Sequence, residues 1–286
     1  MLKIIRGTLV ITLLFLNTLI LSIVFVCLAS IQSIIPLQKL KEYFYNLTEE
    51  TYHLWVDINA ITLKSILPTR WSLEFDNSLD KKHWYALVAN HVSGIDILAL
   101  QILFNRKVPH LKFFMKDSLK WLPIIGQFCY FFNYPFIKRY TPKQIKKNPA
   151  RKKQNILNLK KTCQKIKNQP TTVINFIEGT RFTTAKHKMQ KSPYKNLLQP
   201  LAGGTSVLLT ELSKEISVII DATITYEGGK TLVDLLLGKV GLVKVRARVI
   251  NIDSSWHGDF YHDPKYKRDI TNKIKTIWQE KDQVIA

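Results

Sequence analysis

His91 and Asp96 bring an imidazole and a carboxylate together in Tyr85-Ala-Leu-Val-Ala-Asn90-His91-Val-Ser-Gly-Ile-Asp96-Ile-Leu-Ala-Leu. An apolar strand runs into a polar turn, and Asp96 opens an apolar helix, where the helix dipole favours an anion. A carboxylate so placed can hold one imidazole nitrogen, fix its tautomer and stabilise the imidazolium formed when the other nitrogen takes a proton. The pair is a general base without a nucleophile of its own. A Ser-His-Asp hydrolase would need a protein hydroxyl, and its strand-turn-helix sequence Gly-x-Ser-x-Gly is absent from the chain. The hydroxyl would then come from the substrate. By itself the spacing also fits a buried structural histidine.

A second segment, Thr171-Thr-Val-Ile-Asn-Phe-Ile-Glu178-Gly179-Thr-Arg181, is again an apolar strand that ends in charged residues around a glycine. Gly179 permits a tight turn, and Arg181 offers a planar fork suited to phosphate. Glu178 could orient that guanidinium or accept a hydrogen bond from a substrate; a strand-terminal salt bridge is the plainer alternative. Both segments follow the carboxyl ends of expected parallel strands, the edge of an α/β sheet where ligands bind. Charge developing on a reacting carbonyl would call for preorganised donors, with the backbone amides after His91 as candidates.

Asn90 to Asp96 and Phe176 to Arg181 resemble the first and third motifs of the lysophosphatidic acid acyltransferase family, Asn-His-x4-Asp and Phe-Pro-Glu-Gly-Thr-Arg. The family's second motif resembles Lys116-Asp-Ser-Leu-Lys-Trp-Leu-Pro123-Ile-Ile-Gly126 followed by Phe136-Ile-Lys-Arg139. The segments Arg181 to His187, Ile224-Thr-Tyr226 and Trp278 to Asp282 are similar to the lysocardiolipin acyltransferase and bacterial YihG-type branch. Two departures stand out: Ile177 replaces the usual proline before the glutamate, and Ile216 to Ile220 lacks the proline often found in the fourth motif. The resemblance implies His91 as general base, Asp96 as its partner, and Arg181 with Glu178 and Gly179 as the acceptor-binding group, Arg139 being a second phosphate ligand. It implies acyl transfer from acyl-CoA or acyl-carrier protein, a donor substrate and not a resident cofactor, to a lysophospholipid hydroxyl.

Strands are expected at Tyr85 to Ala89, Lys112 to Met115, Phe131 to Ile137, Val173 to Ile177, Val218 to Tyr226 and Val243 to Ile252. Helices are expected at Asp96 to Phe104, Lys153 to Asn168, Leu201 to Lys214 and Pro264 to Lys281, with a basic connection from Thr141 to Lys153. Their alternation predicts an α/β fold, a mixed sheet with mostly parallel strands flanked by helices. An N-terminal region, residues 1–70, would hold a membrane anchor and an amphipathic helix from Tyr43 to Leu67; residues 71–286 would form the acyltransferase domain.

No charged residue occurs from Gly7 to Gln38, a run long enough to span a bilayer and too long for a cleaved signal. Lys3 and Arg6 precede it and Lys39 and Lys41 follow, so flanking charge sets no orientation, and a shallow helical hairpin fits as well as a span. The 42 Lys and Arg against 21 Asp and Glu favour phosphate-rich partners, an anionic membrane or nucleic acid. Nucleic acid explains neither the anchor nor the charged strand ends and is not expected as a partner; a lipid hydrolase using the same dyad with water remains an alternative. Cys27, Cys129 and Cys163 are too dispersed for a disulfide framework or a zinc site. The six histidines other than His91 also lack metal-ligand spacing. A cytosolic donor would place the crevice on the cytoplasmic side of a membrane, expected here to be a bacterial inner membrane.

Overall fold

The computed structural model describes residues 1–75, 79–138, 140 and 142–285, with the backbone alone at 142, 143, 145 and 152. In chain order the elements are α1 (Leu2–Ile34), α2 (Gln38–Ile66), β1 (Arg70–Glu74), β2 (Trp84–Ala89), α3 (Ile95–Phe104), β3 (Leu111–Phe113), β4 (Met115–Lys116), α4 (Ile125–Phe131), β5 (Phe136–Ile137), α5 (Pro142–Lys147), α6 (Ala150–Ile166), β6 (Thr172–Phe176), α7 (Thr184–Gln190), α8 (Gly203–Glu211), β7 (Ile216–Gly228), α9 (Leu232–Leu236), β8 (Val240–Asn251) and α10 (Pro264–Ile285). Six strands form one sheet in the order β1-β8-β7-β2-β6-β3, and β4 pairs with β5. The expected α/β class, with helices around a mostly parallel sheet, is what the chain adopts: β2 runs parallel to both β6 and β7, and β3 parallel to β6.

The chain divides into two units, and β7 and β8 contribute to both. The first comprises residues 1–74, 93–106 and 225–245. Within it α1 and α2 pack as a hairpin tied by polar side chains: the Asn17 amide donates to Asn59 Oδ1 at 2.8 Å and to the Trp55 carbonyl at 3.0 Å. Trp55 Nε1 in turn donates to Thr18 Oγ1 at 3.0 Å. Among the described residues α1 is the one helix long and apolar enough to cross a membrane. It leaves Ile4, Ile11, Phe15, Ile20 and Ile23 more than half exposed, a candidate anchor surface. The expected amphipathic helix is α2, which buries Tyr52, Val56 and Leu63 and therefore packs on protein. Its Glu50 and Asp57 hold Arg106, and Asp57 also accepts from Asn105, pinning the end of α3.

The second unit comprises residues 75–92, 107–224 and 246–286. Its core combines Ala86 and Val88 of β2, Val173 of β6 and Ile216 and Ile219 of β7 with Cys163 and Ile166 of α6, Leu208 of α8 and Ile270, Ile274 and Trp278 of α10. Cys129 and Cys163 are buried free thiols, each pushed up to about 12 by burial.

Two sequence expectations change. The aromatic run Phe131 to Ile137, expected as one strand, is the last residue of α4, a turn and the short β5. Asn133 takes a positive φ of 55°. Its amide donates to the Tyr130 carbonyl at 3.1 Å, and the next amide, of Tyr134, to Cys129 at 2.8 Å. That left-handed closure ends a helix. The basic connection after position 141 is itself helical, forming α5 and the first turn of α6. β1 had no counterpart among the expected strands.

Candidate active site

The strands that carry the two motifs lie side by side in the second unit. β2 and β6 are parallel, with Ala89 opposite Phe176, so the loops that follow leave the same edge of the sheet. His91 is held there through its backbone. Its N–H donates to Glu178 Oε1 at 3.2 Å, and its carbonyl accepts from the Phe182 amide at 2.7 Å. The imidazole stacks on Phe176, centroids 4.2 Å apart and planes 17° from parallel, and the residue is 8% exposed. Asn90 supports it from behind: its amide donates to the Ile224 carbonyl at 2.9 Å, and its Oδ1 accepts the Ile224 amide at 2.7 Å.

Glu178 is 2% exposed, and its second oxygen accepts the Leu198 amide at 3.4 Å. The carboxylate thus joins three chain segments. Gly179 has φ +67°, as the tight turn requires, and closes it by donating to the Phe176 carbonyl at 2.9 Å. Ile177, where the family motif has proline, is buried, and its carbonyl accepts from Leu201 at 2.6 Å. The Arg181 side chain is exposed, while its carbonyl and the Thr180 hydroxyl accept from Lys186 Nζ at 2.9 and 2.7 Å. Arg139 lies outside the described residues.

In the first unit Asp96 is the second residue of α3, as the sequence predicts for an anion in a first helical turn, and it is fully buried. Oδ2 accepts the Ser93 amide at 2.9 Å, while Ser93 Oγ accepts the Ile95 amide at 3.1 Å. The Ser93 amide is therefore committed to Asp96, which removes it from the expected oxyanion donors after His91. Oδ1 accepts a short hydrogen bond from the Tyr226 hydroxyl. In the sequence Tyr226 stands out only as part of a segment that resembles the family. No spacing rule links positions 130 residues apart.

Residues 71–208 match the family model described as Acyltransferase. The chain is 26% identical over 156 residues to 1-acyl-sn-glycerol-3-phosphate acyltransferase epsilon of Mus musculus, covering 50% of this chain and 40% of that protein. It is 29% identical over 187 residues to 1-acyl-sn-glycerol-3-phosphate acyltransferase 2 of Arabidopsis thaliana, covering 60% and 45%. The chain thus spans less than half the length of these relatives. The crystal structure of the 1-acyl-sn-glycerophosphate (LPA) acyltransferase PlsC from Thermotoga maritima superposes with a TM-score of 0.58 at 14% identity, over 98% of both chains. The chain therefore shares that fold.

Proposed function

We propose that the protein transfers a fatty acyl group from acyl-CoA or acyl-carrier protein to the free hydroxyl of a lysophospholipid, either lysophosphatidic acid or a related acceptor of the lysocardiolipin or YihG-type branch. The observation that carries this reading is the mounting of His91 on the strand edge of an acyltransferase domain, with both its backbone N–H and C=O fixed by the Glu178 to Phe182 turn. His91 Nε2 or Nδ1 takes the proton of the acceptor hydroxyl while that oxygen attacks the thioester carbonyl. The tetrahedral centre then collapses, the C–S bond breaks, and the thiolate leaves with the proton from the imidazolium. Asp96 keeps the imidazole oriented and balances its transient charge. No covalent acyl-enzyme is required.

Arg181, exposed at the turn after β6, suits the acceptor phosphate, with Gly179 shaping the turn and Arg139 as a second cation. Glu178, buried against two backbone amides, supports the reading as scaffold for this group. The exposed aliphatic face of α1 and the excess of Lys and Arg support a chain anchored at an anionic membrane. With a soluble donor, the site would work from the cytoplasmic side, in a bacterium at the inner membrane.

The test is product analysis with labelled acyl-CoA or acyl-carrier protein and a panel of lysophospholipids. Diacyl product that requires both substrates is expected, and His91→Ala should lower turnover by about 10³-fold or more while leaving the fold intact. Free fatty acid in place of transferred product would instead identify a hydrolase that uses the same pair with water.

A further inference from the structure

Tyr226 lies near the end of β7, beyond the residues matched by the acyltransferase family model. It shares the first unit with Asp96, whose carboxylate is fully buried. A buried carboxylate needs donors on both oxygens, because unpaired it loses its hydration without compensation. The Ser93 amide supplies one, fixed by the turn that starts α3. The Tyr226 phenol supplies the other, in a short, charge-assisted bond to Oδ1.

A phenol suits this position for two reasons. Its hydroxyl sits at the end of a rigid ring carried by a strand, so the donor is placed with little loss of rotamer freedom on binding. Burial, followed by the charge of Asp96 and the hydrogen bond to it, also holds the phenol's pKa above its ordinary range, so the group remains a donor wherever the enzyme would work.

We propose that Tyr226 is a positioning residue for acyl transfer: its hydroxyl fixes Oδ1 of Asp96 and sets how much negative charge Asp96 presents to His91. This rests on the general-base reading above. A hydrogen bond donated to a carboxylate withdraws part of its charge and restricts its rotation. Without it Asp96 would bear more charge and turn more freely, which favours imidazolium over the free base. The other ionisable groups of the motif loops are Glu178, on the backbone amide of His91, and the exposed Arg181.

The test uses the full chain with palmitoyl-CoA and lysophosphatidic acid, comparing wild type, Tyr226→Phe and a variant with 2,3-difluorotyrosine at position 226. Fluorination makes the phenol a stronger donor with almost no change in shape. In Tyr226→Phe, kcat should fall about tenfold or more with KM for both substrates within about twofold, the mark of an interaction made in the transition state. The acid limb of its pH–rate profile should move to higher pH, and that of the fluorinated variant to lower pH. If the phenylalanine variant fails to fold, the fluorinated one carries the comparison alone.

Profiles that coincide with wild type, or a loss confined to KM, would overturn the role of Tyr226 even where wild type transfers acyl groups and His91→Ala does not. Wild type that forms no diacyl product would instead overturn the acyl-transfer reading, and this inference with it.

Discussion

His91 is constrained through its main chain as well as through the stacking of its ring on Phe176. Glu178 takes its N–H and Phe182 its carbonyl, so the residue that would move the proton and the turn that would hold the acceptor are one hydrogen-bonded assembly. Arg181 is the exposed member of that assembly. Arg181→Ala should therefore raise KM for a phosphorylated acceptor by about tenfold or more while leaving KM for acyl-CoA nearly unchanged, as loss of a charge-assisted contact predicts. Steady-state kinetics with each substrate varied in turn would check it, and equal losses for both would count against the assignment. The sequence singles out His91, Asp96 and Arg181 because the residue types that could do chemistry are concentrated within short motifs. The partners of Glu178 were not, since they are backbone amides 87 and 20 positions away, and backbone amides have no residue-type signature.

At the scale of elements, β7 does more than extend the sheet. Its Ile224 holds Asn90, and two residues on, Tyr226 holds Asp96. The same strand starts an ionic cluster that is buried at Asp221 and Lys281 and half-exposed at Arg248 and Glu280: Asp221 faces Lys281 of α10 at 2.6 Å and Arg248 of β8 at 3.0 Å, and Arg248 reaches Glu280 at 2.6 Å. The ammonium of Lys281 has no exposure and also donates to the Ala222 carbonyl and the Thr223 hydroxyl. Complete burial nonetheless lowers its pKa, outweighing the opposing pull of Asp221. Replacing Lys281 by Met should reduce the unfolding free energy by about 3–5 kcal/mol, because Asp221 loses its fully buried partner. Adding Asp221→Leu should recover part of the loss, and urea titration of both variants would measure it.

The strands β2, β6 and β7 and the helices α3, α6 and α10 were legible from alternation and apolar spacing, because core packing follows those periods. What escaped was set by backbone conformation. Asn133 ends α4 inside a run of aromatic residues that reads as a strand. β1 alternates Trp71 and Leu73 with polar residues, but over five residues and with none fully buried, too short a run to stand out.

For the molecule as a whole, a helix without charge beyond Arg6 and an excess of basic residues act on a membrane in different ways. Apolar insertion is nearly independent of salt, whereas attraction of Lys and Arg to anionic lipid is screened within about 8–10 Å at ordinary ionic strength. Full-length protein should bind vesicles containing phosphatidylglycerol more tightly than neutral ones at low salt. Raising the salt should bring the two affinities together without releasing the protein from either, which flotation at two salt concentrations would show. Release from both would mean that α1 does not insert.

The Asn17 to Asn59 bond has a consequence for how the chain is made. An amide in hydrocarbon has no water to fall back on, so α1 alone would carry an unmatched polar group where the hairpin carries a matched pair. Were α1 to enter a membrane, it would keep Asn17 matched only with α2 already packed on it, so a ribosome that had released the first helix alone would not yet have delivered a finished anchor.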